Sequence, residues 1–518
     1  MNDGVLIGID AGTSVIKSVA FSADGRQIAA AAIPNSYATS ADGGAEQDMA
    51  RTWADAAATL KQLSEKIPKL AGRLIAISVT GQGDGMWLVD KAGDPVAPAW
   101  LWLDARAAAI AEDFTRHVAY QAHYKRTGTG VNACQMSMQL VWMTRHRPDV
   151  LARAATSLHC KDWLYFKLTG ERRTDPSEAN FTFGQYATRT YAPEILDVLG
   201  AGEAKRLLPE IVEGTEVAGR LTPAAAALTG LKAGTPITLG YVDVLCTGLG
   251  GGLYDPEGKT GCTIVGSTGM HMKIAPSAAH VRLNTELSGY TMAFPVPGMY
   301  AQIQSNMAST LNIDWLLDVG RDVLASQGLE RSRGDLLKGL DERMMAVPAA
   351  RNIFHPYISQ AGERGPMMEP AARAMFSGLE LGMGFADLMR GVFEGLCFAS
   401  RDCYAAMGDI PGEVRITGGA ARSTALRVML ASVLKARIRS VQREEAGAAG
   451  AAMMAAVQQK LYPDMNACAA QWVDPLLGGV TAPDTSLTGL YDGAFAIYKE
   501  TREKMRPLWR AMVANRAS

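Results

Sequence analysis

Basic tracts, paired cysteines, metal-spaced histidines and long apolar runs are all missing from this 518-residue sequence. The 51 Lys and Arg are nearly matched by 52 Asp and Glu, for a formal charge of −1, and nowhere cluster, which argues against a nucleic-acid partner. The seven cysteines, Cys134, Cys160, Cys246, Cys262, Cys397, Cys403 and Cys468, are odd in number and never spaced Cys-x-x-Cys. That pattern fits reduced thiols better than a disulfide framework or a structural zinc. No histidine pair has metal-ligand spacing. The opening MNDGVLIGID has no basic leader region, and no run reaches the roughly 18 apolar residues of a membrane span. The expectation is a cytoplasmic protein with no membrane contact and a small-molecule partner. Two familiar nucleotide motifs are missing as well. In Glu257–Gly261, EGKTG, the Gly required five positions before Gly258 is Leu253, and Lys259 precedes a strand rather than opening a helix. No Gly-x-Gly-x-x-Gly opens a helix, which weakens a Rossmann reading.

What is present is an alternation of strands and helices. A chain of this length exceeds one core, since a domain takes roughly 100–200 residues. VLIGI (Val5–Ile9) and VIKSVAF (Val15–Phe21) read as strands around Asp10-Ala11-Gly12-Thr13-Ser14, and Asp24-Gly25 signals a further hairpin. In DMARTWADAAATLKQLSEKI the apolar positions Met49, Trp53, Ala57, Leu60 and Leu63 recur at three and four, predicting a helix. Strand, Gly-rich loop and strand follow in LIAISVTGQGDGMWLVD, and the alternation continues to about residue 250, an α/β pattern. The turn formers of LYDPEGKTG (Leu253–Gly261) mark a domain boundary. Beyond them the grammar repeats: CTIVGSTGMHM carries Gly266-Ser267-Thr268-Gly269 at a strand end, and EVRITGGAARS ends a strand in Gly418-Gly419-Ala420. Two such lobes facing each other could hold both ends of a polyphosphate.

Each motif also has a plain reading. Asp and Gly are what ordinary turns prefer, so the loop after Asp10 is equally a hairpin turn. Asp243, after the strand-like Pro236–Tyr241, is either a base at a close-approach site or a helix N-cap. Gln82 and Asp84 in GQGDGMW either receive the hydroxyls of a polar ligand or sit in a solvated turn. In WLWLDAR, Trp102, Asp104 and Arg106 are ligand contacts or else core aromatics beside a surface ion pair. The Ala/Gly-rich EEAGAAGAAMMAAV reads as a helix packed closely on a neighbour.

The order of these segments is more specific than any one of them. From about Val5 to about Val457 the chain resembles the FGGY family of carbohydrate kinases, in the sugar kinase, Hsp70 and actin superfamily. The resemblance implies two ribonuclease-H-like α/β domains with an interdomain cleft. Residues 1–252 would carry the acceptor site, the first phosphate loop and the catalytic Asp, and residues 253–518 the ATP site. It implies ATP and Mg2+ as cofactors, Asp10 toward the metal, and Asp243 as the base that takes the proton of the attacking hydroxyl. Gly12, Thr13, Ser14 and Lys17, then Gly266, Ser267, Thr268 and Gly269, then Gly418, Gly419, Ala420 and Ser423 would contact the nucleotide. Gln82, Asp84, Trp102, Asp104 and Asp243 would contact the acceptor. The chain departs from the pattern twice. Gly240-Tyr241-Val242-Asp243 stands where many relatives carry Gly-Gly-His-Asp, and Tyr241 is expected to reshape the pocket. Gln82-Gly83-Asp84 has neither the Arg-Glu pair of glycerol kinases nor the Met-His pair of xylulose kinases, which suggests an uncharged open-chain polyol. Erythritol stands first among the expected acceptors, with xylulose, xylitol, ribitol and glycerol as alternatives. A non-catalytic actin- or Hsp70-like nucleotide binder is the competing class, and a homodimer is left open.

Overall fold

The computed structural model describes residues 3–517. Its first sheet begins as the hairpin signals predict. β1 (Val5–Ala11), β2 (Val15–Ser22) and β3 (Gln27–Pro34) run antiparallel, with Asp10 opposite Lys17. β4 (Leu74–Gly81) then joins β1 in parallel, and β5 (Ala218–Arg220) and β6 (Pro236–Leu239) complete a six-stranded sheet ordered β5-β6-β4-β1-β2-β3. The second, seven-stranded sheet repeats this plan. β7 (Thr260–Val265), β8 (Gly269–Ala275), β9 (Tyr290–Ala293) and β10 (Tyr300–Asn306) form its antiparallel part. β11 (Glu413–Thr417) and β12 (Arg437–Val441) add in parallel to β7, and β13 (Leu477–Thr481) closes the edge, in the order β9-β10-β8-β7-β11-β12-β13. In both sheets the first strand is the pivot between an antiparallel half and a parallel half. Its C-terminal end therefore opens into a crevice where ligands bind in such sheets.

The helices cover the sheets as their apolar faces dictate. α1 (Met49–Lys66), N-capped by Asp48, buries Met49, Ala56, Leu60 and Leu63 against β1, β2 and β4, together with α2 (Cys160–Thr169). α3 (Pro176–Phe183) is buried along its length. α4 (Asp243–Gly250) follows β6. α5 (Phe385–Ala406) and α6 (Thr424–Leu434) make the core of the second half. α7 (Ala446–Gln458) then leaves the second sheet and packs with α4 and β1, in a cluster that takes Leu6 and Val19 from one sheet and Met272 and Ala301 from the other. Its small residues are what this position demands: a Cβ on Gly8 would collide with the Ala448 carbonyl, and one on Gly447 with the Asp10 carboxylate.

Two sequence expectations are refined. The strand expected over 236–241 stops at Leu239, with Gly240 giving a last bond to β4 by donating to the Val79 carbonyl at 2.8 Å. Tyr241 does not face a pocket. Its ring is buried and its hydroxyl meets Arg189 and Glu213, so it braces the lobe rather than shaping the ligand site.

Candidate active site

The C-terminal ends of β1, β4 and β6, the start of α3 and the antiparallel face of the second sheet enclose a cavity of about 300 Å³. Thr13, Gln82, Asp84, Glu178 and Asp243 come to it from the first half, and Thr268 and Arg364 from the second. Phe181, Tyr290, Met292 and Ile303 supply an apolar wall. Asp243 opens α4 without capping it, since the residue before it is the N-cap and no side-chain cap bond forms. That removes the plain reading of Asp243.

Electrostatics single out the same carboxylates. Burial pushes Asp243 up to about 7, and the charge of nearby Asp10 adds to the rise. Asp10 is itself raised to about 6 by burial, held down in part by Lys17 and pushed further by Glu445. Asp84 reaches about 7, mainly from burial, against a 3.4 Å bond from the Cys134 thiol and the charge of Arg364. Its backbone lies in the left-handed region, φ 56°, which Asp tolerates better than most residues and which in folded proteins concentrates at functional sites. Glu178 climbs to about 8, because burial outweighs His159 and Lys161 beside it. Beneath it lies a charge cluster: Lys161 bonds Asp162 at 2.6 Å and also pairs with Asp175, and His159 Nδ1 lies 3.1 Å from Asp162.

The sequence-predicted residues divide in the structure. Gly12, Thr13 and Ser14 form the turn between β1 and β2, where Asn35 clamps the backbone by donating to the Gly12 carbonyl at 3.0 Å. Gln82 faces the cavity, but its amide is committed: it accepts from Thr13 Oγ1 at 2.9 Å and donates to Gln47 at 2.9 Å. Trp102 joins the same network by donating to Thr13 Oγ1 at 2.8 Å, so these two position the loop as well as lining the site. Gly266, Ser267, Thr268 and Gly269 turn between β7 and β8, with Thr310 N bound to the Gly266 carbonyl at 3.0 Å. Gly418, at φ 99°, lies tight on Val265 and begins the turn through Gly419 and Ala420.

Three residues are placed differently from expectation. Asp104 is absent from the cavity wall. Its carboxylate is buried against Arg106 at 2.6 Å and the Ala45 amide at 2.9 Å, the ion pair the motif also allowed but in the interior rather than at the surface. Ser423 caps α6 through Leu426 N and donates to Asp341 at 2.8 Å. Lys17 ties the two halves together through Glu445 at 2.9 Å. Glu178 and Arg364 went unassigned from sequence.

The donors around Asp10 suit a cation that brings ligands of its own. Among the described residues no group of three or more His, Cys, Asp and Glu side chains could hold a metal ion. A cation at Asp10 would draw its remaining ligands from phosphate oxygens and water, as magnesium does, and would offset the Asp10 charge that adds to the rise at Asp243.

Two sheets of one plan, each pivoting on its first strand, with acidic residues between them, define the two-domain α/β fold of the actin and Hsp70-like superfamily. The family models agree in detail: the FGGY family of carbohydrate kinases, N-terminal domain, matches residues 5–250, and the C-terminal domain matches residues 261–459. The chain belongs to the FGGY family of carbohydrate kinases. It is 50% identical over 505 residues to an erythritol kinase of Brucella abortus (strain 2308), covering 98% of this chain and 97% of that one. It is 26% identical to an L-xylulose/3-keto-L-gulonate kinase of Escherichia coli (strain K12), covering 95% of each. Among solved structures, xylulose kinase from Rhodospirillum rubrum superposes with a TM-score of 0.86 at 26% identity, over 98% of this chain and 100% of that one. Membership in a kinase family sets aside the non-catalytic reading. Among the described residues no helix is long and apolar enough to cross a membrane.

Proposed function

We propose that this carbohydrate kinase transfers the terminal phosphoryl group of ATP to a terminal hydroxyl of a short neutral polyol, erythritol before any other. The observation that carries the reading is the half-buried Asp243, raised to about 7, on the wall of a cavity shared with Asp84 and with both candidate phosphate loops through Thr13 and Thr268. The 50% identity to an erythritol kinase supports the choice of acceptor. A hydroxyl presented to Asp243 gives its proton to the carboxylate as its oxygen attacks the γ-phosphorus, and ADP departs. Such transfer depends on positioning and charge neutralisation more than on a strong base. Asp10 would hold Mg2+, which neutralises phosphate charge. The Gly12–Ser14 and Gly266–Gly269 turns present backbone N–H groups to the phosphates. Gly418, Gly419 and Ala420 offer a flat surface for the adenosine. In this reading residues 1–252 hold the acceptor and residues 253–518 the nucleotide, with α7 as the exception that crosses back. Seven free cysteines fit a cytoplasmic setting.

Asp84 should carry acceptor choice, because a charged or proton-sharing carboxyl left unpaired in a closed pocket penalises an acceptor that cannot meet it. The test is kcat/KM for erythritol, glycerol, xylitol, ribitol and xylulose with wild type and Asp84→Ala. Loss of erythritol preference in the variant is expected. An unchanged ranking with unchanged rates places the acceptor elsewhere.

A further inference from the structure

Three residues that line the cavity each hold a polar atom buried without a hydrogen-bond partner among the described residues: Asp84 Oδ1, Glu178 Oε1 and Arg364 Nε. Unsatisfied buried groups are uncommon in native proteins. Three around a single cavity, two of them acceptors and one a donor, match a ligand whose every group both donates and accepts, which is what a hydroxyl does. Arg364 is the only one of the three from the second half of the chain. Its loop is held rigidly there: the Glu363 carboxylate accepts from Met307 N and Arg364 N, each at 2.8 Å, and Asn306 Nδ2 donates to the Gly365 carbonyl at 2.8 Å. β10 therefore anchors the loop that brings Arg364 to a pocket whose carboxyl groups come from the loop after β4, from α3 and from α4.

We propose that Arg364 is an acceptor-binding residue which, with Glu178 of the same cavity, holds the hydroxyls of the polyol that are not phosphorylated. This rests on the polyol-kinase reading above and extends it. The acceptor site becomes a two-lobe site, complete only when the second sheet's loop stands over the first sheet's cavity. The arrangement also explains why length matters. A four-carbon chain with one end at Asp243 has hydroxyls left for Asp84, Glu178 and Arg364, whereas a three-carbon chain leaves one of them unmet. Three carboxyl groups against a single guanidinium on this wall disfavour an anionic acceptor, and the apolar Phe181 and Met292 suit the C–H faces of a neutral one.

The test measures acceptor KM, ATP KM and acceptor-independent ATP hydrolysis for wild type, Arg364→Met, Arg364→Lys and Glu178→Ala, using whichever neutral polyol the wild type phosphorylates best. Loss of a hydrogen bond from a charged group is expected to raise acceptor KM about tenfold or more in R364M and E178A. ATP KM and ATP hydrolysis should stay within about twofold, a split that a general structural defect would not produce. R364K, which keeps charge and length without the forked donor, should fall between. Acceptor KM within twofold of wild type in R364M overturns the inference. If R364M melts as an unfolded chain, the same result in R364K overturns it. A wild type that phosphorylates no neutral polyol overturns instead the function on which the inference rests, so the two failures are told apart.

Discussion

In the proposed mechanism Asp243 takes the proton of the attacking hydroxyl. Asp243→Asn keeps the shape of the carboxyl and removes its basicity, so turnover should fall by about 10²–10⁴-fold while ATP affinity stays nearly intact. Single-turnover rates and nucleotide binding measured on the same preparation check this. Turnover within a few-fold of wild type would remove Asp243 from the role of base. Glu178 makes a different prediction, on stability. Its pKa rises from 4.5 unfolded to about 8 folded, so its contribution to stability is full below about pH 4.5 and is lost as pH climbs through 8. Glu178→Gln has nothing to ionise. The melting temperature of the variant relative to wild type should therefore climb steadily between pH 5 and about pH 9. A constant difference would show that Glu178 does not change protonation in that window.

At this scale the sequence was legible where chemistry sits inside a local motif. Asp10 near the end of β1, Asp84 in the loop after β4 and Asp243 at the start of α4 each belong to a motif read locally, and the structure brings Asp10 and Asp84 within electrostatic reach of Asp243. Asp104 does not join them, because the same seven-residue motif holds Arg106, a closer partner than any ligand. Glu178 and Arg364 gave no local signal. Glu178 meets Asp84 across 94 residues of chain, and Arg364 arrives from the other sheet. Only the tertiary fold places them.

Among elements, the decisive contact is between α7 and β1. A helix that crosses from the second half to lie on the strand bearing Asp10 can approach only through residues without bulk, which is why its face reads Ala and Gly. Periodicity shows such a helix but not its partner. Its neighbour proved to be the first sheet, contrary to what a simple division of the chain near residue 252 would suggest. Gly8→Ala should expose the fit: the added Cβ meets a main-chain carbonyl that cannot swing aside. Overpacking of this kind costs about 1–3 kcal/mol, and because β1 carries Asp10, activity should fall with stability. Urea denaturation and kcat on one preparation check both. Unchanged stability would mean that α7 is free to shift.

For the whole molecule, the account is of two sheets of one plan that close on an acceptor from opposite sides. Lys17 bonded to Glu445, and Arg189 donating to Glu213 and to the Phe294 and Met299 carbonyls, already join the halves away from the cavity. Closure of such a site excludes water and limits wasteful ATP hydrolysis. The repeated grammar of strand, Gly-Thr loop and strand revealed this duplication, because hairpin and Gly signals are local. The acceptor is less legible, since a motif that matches neither glycerol nor xylulose kinases says chiefly what the pocket is not. The most direct measurement is ADP release by the wild type with ATP and Mg2+ across erythritol, glycerol, xylitol, ribitol, xylulose and gluconate, ranked by kcat/KM. The account predicts that erythritol leads and gluconate trails; glycerol, xylulose or gluconate ahead of erythritol would contradict it.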